Sequence, residues 1–159
     1  MTSSRRRLLS FPAIALLLAA AGCSSADDAA QVAVPKPSAD EVPYCEALAK
    51  ALPQTVAGLR RSDVEPKSEL TAGWGDNAAI VLRCGVPRPE KMDDPDALGV
   101  EADGVKWMLE QLNSGPRFTT TYRKVYIEVA LPEKYDHDVT PLSDFAAAVA
   151  KTVPLTVKA

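Results

Sequence analysis

Three cysteines, one histidine and twenty-one acidic side chains are the residues through which this chain of 159 residues could do chemistry. The single imidazole, His137, stands between Asp136 and Asp138. A zinc site usually draws on several His or Cys ligands, so one histidine in a polar stretch reads as a solvated side chain. No Gly-x-Ser-x-Gly turn is present to offer it a serine nucleophile. Among the acids, Glu110 and Glu128 are the best placed to serve as paired carboxylates for glycoside cleavage, because both fall in a β-rich region. Asp93, Asp94 and Asp96 gather hard oxygen ligands, but without the spacing and glycine of a calcium loop. Phosphate-cradling glycine loops and dinucleotide fingerprints are absent. The expectation is therefore no catalytic constellation, no metal and no cofactor, with a cell-wall hydrolase as the last-ranked activity.

The cysteines are more informative. Arg5-Arg6-Arg7, an apolar run from Leu8 to Ala21 and then Gly22-Cys23 have the layout of a bacterial lipoprotein signal peptide. The run falls short of the roughly 20 apolar residues that a resident membrane helix needs, and Pro12 disturbs it further. Cleavage before Cys23 would leave its thiol carrying diacylglycerol, with palmitate-type acyl chains holding the protein at the bilayer. Ser4-Arg5-Arg6-Arg7-Leu8-Leu9 also fits a twin-arginine export signal. The chain divides on this reading into a signal peptide over 1–22, a flexible tether over 23–40 and one folded extracytoplasmic domain over 41–159. The tether follows from small and acidic residues with Pro35 and Pro37 and no apolar period. The expected location is the outer face of the cytoplasmic membrane.

Removing residues 1–22 takes away three arginines and no acid, so the formal charge of −3 becomes −6. An acidic surface without a basic stripe argues against a nucleic-acid partner. The expected partners are the membrane, through the lipid, and an envelope protein or wall component, with the chain itself a monomer. With Cys23 used for lipid, Cys45 and Cys84 remain in a compartment where disulfides persist. Redox pairs usually sit two residues apart, so this pair reads as a structural bridge rather than a reactive dithiol.

These residues need elements to position them. Val42, Cys45, Leu48 and Leu52 recur every three or four positions, which predicts a helix between Asp40 and Leu52 that buries Cys45. Ile80, Leu82 and Cys84 alternate with Arg83, which predicts a strand with Cys84 on its apolar face. Glu69 to Trp74 is its expected hairpin partner, turning at Gly75-Asp76-Asn77. Pro87 to Asp103 reads as an exposed loop. Residues 104–112 fit either period and are read as a strand. Arg117–Tyr122 and Val125–Leu131 form a β pair. Thr140 as cap, with Pro141 behind it, opens a second helix through Leu142, Phe145, Val149 and Val153. Trp74 and Trp107 are expected as core or rim packing. Arg83 points away from the apolar face, and Arg60 and Arg61 could join it to hold a small anion beside Trp74. The bland alternative is an ion pair with a neighbouring acid.

Cys45, Leu48, Leu52-Pro53, Arg60-Arg61, Trp74-Gly75-Asp76 and Ile80-Val81-Leu82-Arg83-Cys84-Gly85-Val86 together give a chain that resembles an actinobacterial family, domain of unknown function 3515. The resemblance spans Cys45 to about Ala150, with Asn77 in place of an expected proline. It implies a secreted or lipid-anchored envelope protein with paired cysteines, and no activity. The resulting expectation is an α+β domain. It has a largely antiparallel sheet of about four to six strands, two terminal helices on one face and one disulfide. Its function is that of a non-enzymatic accessory or binding module. A carrier or sensor of a small anionic ligand is the alternative.

Overall fold

An alternating apolar strand must find neighbours for both its backbone edges, and Ile80–Cys84 finds Thr71–Trp74 on one side and Ile127–Ala130 on the other. The computed structural model describes residues 29–156. Within them the chain runs β1 (Ala30–Gln31), α1 (Val42–Ala51), β2 (Thr55–Val56), β3 (Leu59–Ser62), β4 (Val64–Glu65), β5 (Thr71–Trp74), β6 (Ile80–Cys84), β7 (Leu98–Ala102), β8 (Val105–Leu112), β9 (Gly115–Thr120), β10 (Ile127–Ala130) and α2 (Thr140–Thr152). Eight strands form one antiparallel sheet in the order β2-β3-β5-β6-β10-β9-β8-β7. The expected signal peptide, Cys23 and the start of the expected tether lie outside the described residues.

The α+β class holds, but the sheet is larger than the four to six strands expected. The additions are β2, β3 and β7. The segment from Pro87 to Asp103 is not all loop, because Leu98, Val100 and Ala102 alternate into β7. Asp103 and Gly104, at φ 46° and 79°, turn it directly into β8. An Asp-Gly pair at positive φ suits the twist of a two-residue hairpin, and this local signal outweighs the preceding prolines. Residues 105–112 are a strand, as read. The turn between β5 and β6 contains a short 3-10 segment in which Asn77 takes φ 50°, a conformation closed to proline.

Register assigns the two faces. Ile80, Leu82 and Cys84 share a face with Trp74, Ile127, Val129, Phe118 and Trp107, all at most 1 % exposed. Both helices cover that face. Cys45 of α1 is bonded to Cys84, with Cα atoms 5.6 Å apart. Phe145 of α2 meets the Trp74 ring edge-on at 5.1 Å. The bridge thus ties the first helix to a central strand across the core. Thr140 is not the cap of α2. It lies inside the first turn, and the Asp138 carboxylate accepts its N–H at 2.9 Å.

The second half of the expected tether is laid on the domain. Strand β1 pairs in parallel with β4, the Val32 N–H donates to the Glu65 carbonyl at 2.8 Å, and Val32 is buried with Val64 and Ala78 in a small second core. Val32, Val34 and three more small apolar residues are too few to show a period, so composition alone reads this segment as unfolded. Val32→Asp should release the strap. Its loss of about 2 kcal/mol of burial is expected to speed exchange of the Val32 amide by about thirtyfold, with the domain's own midpoint nearly unchanged. Equal protection in that variant would show that Val32 does not hold the strap.

Candidate functional site

The face of the sheet away from the two helices carries the polar residues that the alternation predicts. Arg83, Glu128, Arg117 and Glu110 lie on four adjacent strands, β6, β10, β9 and β8. Arg83 binds Glu128 through two nitrogens at 2.8–3.0 Å. Arg117 binds Glu110 in the same forked way at 3.0–3.1 Å and reaches Glu128 at 3.9 Å. Charges of alternating sign therefore cross the sheet as a ladder. Arg83 is occupied by this pair, with the Ala33 carbonyl as a further, longer acceptor at 3.5 Å. Glu110 and Glu128 each face a guanidinium, with Arg117 between them.

The other candidate residues do not join Arg83. Arg61 lies on the opposite face, its guanidinium 4.8 Å from the centre of the Trp74 ring. Burial there pushes its pKa down. Trp74 is fully buried and donates its indole N–H to the Pro53 carbonyl at 3.1 Å, so it is core rather than a ligand platform. Arg60 is exposed in the hairpin of β2 and β3, opposite Thr55. The arginines are thus split between two faces of the sheet, because odd and even positions of a strand point apart. His137 is exposed, Asp93 pairs with Arg88 at 2.9 Å, and Asp94 pairs with Lys91. Among the described residues, no group of three His, Cys, Asp or Glu side chains could hold a metal. Nor is any helix among them long and apolar enough to cross a membrane.

A cleft of about 660 Å³ lies elsewhere, where β7 and β8 meet the segment after β6. Met92 and Met108, the two methionines that follow the initiator, both line it, with Tyr122, Tyr126 and Leu98. Arg88, Glu101 and Lys106 supply its charges. Hydrogen bonding to Asp93 raises the Arg88 pKa, and the Tyr126 hydroxyl adds to it. Leu98 and Tyr122 are 63 % and 69 % exposed, and Tyr122 takes φ 56°. A bulky residue in the left-handed region costs of order 1–3 kcal/mol, and such strain gathers at functional sites. The neighbouring Arg123 has a structural task. It is 7 % exposed and donates to the Val153 carbonyl at 2.7 Å, a cation at the carbonyl end of α2.

Sequence reasoning passed over this cleft. Its residues come from five separate stretches, and only Gly99 inside an otherwise alternating Leu98–Ala102 run hinted that something comes close to this strand. A second, more open cavity of about 650 Å³ lies beside the strap, lined by Ser62, Asp63, Lys67 and Thr71. Arg61, Asp63, Lys67 and Glu69 balance its charges, and Val64 and Ala72 complete its wall.

No curated protein and no solved structure matches the chain. A family model described as a protein of unknown function, DUF3515, matches residues 8–157. The match includes both cysteines of the bridge, the charge ladder and every residue of the cleft, so the chain belongs to the DUF3515 family.

Proposed function

We propose that this protein is a lipid-anchored, extracytoplasmic binding module of the cell envelope, which engages a partner through the cleft between β7, β8 and the segment after β6. The observation that carries the reading is the open wall of that cleft. Two methionines and two tyrosines line it and the exposed Leu98 stands at its β7 edge, a composition suited to adaptable apolar contact rather than to the placement of a reacting atom. The address rests on Arg5-Arg6-Arg7, the apolar run and Cys23, and a disulfide in the domain fits an oxidising compartment. With β1 docked on β4, six residues, Ser24 to Ala29, lie between Cys23 and the docked strand. The carrier reading has less support, since Arg83 is engaged by Glu128 while Arg60 and Arg61 stand apart from it.

Two measurements test the proposal. Cys23→Ser should move the protein from the membrane fraction to the medium and remove the lipid from its mass. Retention of that variant at the membrane would overturn the anchor. A photo-crosslinking residue at Leu98 or Tyr122 of the full-length protein should trap one discrete species in cells, while the same residue at exposed Lys134 should not. Equal yields at all three positions would remove the cleft as the binding site.

A further inference from the structure

Gly99 is a glycine that its own surroundings do not require. Its φ is outside the positive range, and a Cβ built there would meet only the Trp107 carbonyl oxygen, at 3.7 Å, an ordinary contact. Gly115 is the contrast: at φ 119° a Cβ would come within 2.3 Å of the Leu131 carbonyl oxygen. A glycine inside a strand weakens it by roughly 0.5–1 kcal/mol and often marks a bulge, a bend or the approach of a ligand or another backbone; the unbroken register of β7 with β8 from Leu98 to Ala102 holds no bulge. Gly99 is exposed and lines the cleft.

The backbone at this position is open as well. The two-residue turn at Asp103 and Gly104 makes Ala102 and Val105 a hydrogen-bonded pair, so Val100 and Leu98 also bond inward to β8. The N–H and C=O groups of Gly99 and Glu101 therefore face away from the sheet. Among the described residues no backbone group meets them. Edge strands are commonly guarded by lysine, proline or a bulge. Strand β7 has none of these within Leu98–Ala102, and it presents an exposed leucine instead.

We infer that β7 accepts an extended peptide segment of a partner protein as a ninth strand. One apolar side chain of the segment enters between Met92 and Met108, and a carboxylate meets Lys106. The main-chain groups of Gly99 and Glu101 supply pairing, and the missing side chain at 99 leaves room for the entering one. An acidic segment fits because Lys106, although opposite Glu101 in the β7–β8 register, has no carboxylate within ion-pair distance among the described residues, whereas Arg88 is held by Asp93. This inference rests on the cleft being the binding site and adds how the partner is held.

The test uses the full-length protein in detergent micelles and a phage-displayed random peptide library. Selected peptides should alternate apolar residues with Asp or Glu, and bind Gly99→Val at least about tenfold more weakly, with the variant's thermal midpoint undiminished because valine suits a strand. Lys106→Glu should shift the selection from acidic to basic peptides. In the unaltered protein, a bound peptide should slow amide exchange at Gly99 and Glu101, a readout that does not depend on any variant folding. Equal binding to Gly99→Val, or no peptide selected, would overturn the inference. So would peptides that perturb Met92 and Met108 while the two amides exchange freely, a result that leaves the cleft standing. Slow exchange that appears without peptide and grows with protein concentration would give the edge to a second copy of this chain and overturn the peptide assignment.

Discussion

Replacing Cys45 and Cys84 together by alanine should lower the free energy of unfolding by about 4 kcal/mol on the chain-entropy account. The bridge closes 39 residues of sequence separation, a span that holds the five strands β2 to β6, so its removal frees a large part of the sheet's first half in the unfolded state. Both cysteines are at most 1 % exposed, and their truncation also leaves a small gap between α1 and β6. A domain of this size has about 5–15 kcal/mol in total, so the variant should unfold at a much lower urea concentration. Urea titration of the oxidised protein and the double variant measures the difference. A loss below about 1 kcal/mol would mean that the helix-to-sheet contact holds without its covalent tie. The same burial predicts that a mild reductant leaves the native bridge intact until the domain opens.

Glu128→Ala should cost about 3 kcal/mol, more than any other single change in the charge ladder. Glu128 is 8 % exposed and serves Arg83 directly and Arg117 at longer range. Its removal leaves Arg83 on β6 without its paired carboxylate, and leaves Arg117, two strands away on β9, with Glu110 of β8 alone. Arg83→Met should cost less than Glu128→Ala, because Glu128 would still face Arg117. The double change Arg83→Met with Glu128→Leu should recover most of the loss, since an apolar pair of similar volume needs no desolvation of charge. Chemical denaturation of the two single variants and the double variant forms the cycle that isolates the coupling. Additive losses would show that the ladder is a solvated surface feature.

The core of this fold was legible because it depends on nearest neighbours along the chain. Alternation at Ile80, Leu82 and Cys84 and three-to-four spacing at Cys45, Leu48 and Leu52 each point one side of an element inward, and the two cysteines sit on those sides. The strap and β7 were not legible. Strand β1 has two residues and gains its place only from β4 and from the pocket formed by Val64 and Ala78, which are distant in sequence. Strand β7 was hidden behind Pro87, Pro89 and Pro95, although its Asp103-Gly104 turn was in view.

The candidate site divides along the same line. Sequence alone determined that Arg83 faces away from the core, since the side chain of a strand residue is set by its parity. It could not determine that Glu128 stands opposite Arg83, that Arg61 lies over Trp74 on the other face, or that Met92, Met108, Tyr122 and Leu98 enclose one cleft. Those facts depend on which strands become neighbours, and strand order is set by the summed burial of the whole sheet rather than by any local run. What each element buries was written in its own residues, whereas what the exposed faces bring together was decided only when β6, β10, β9 and β8 came into register.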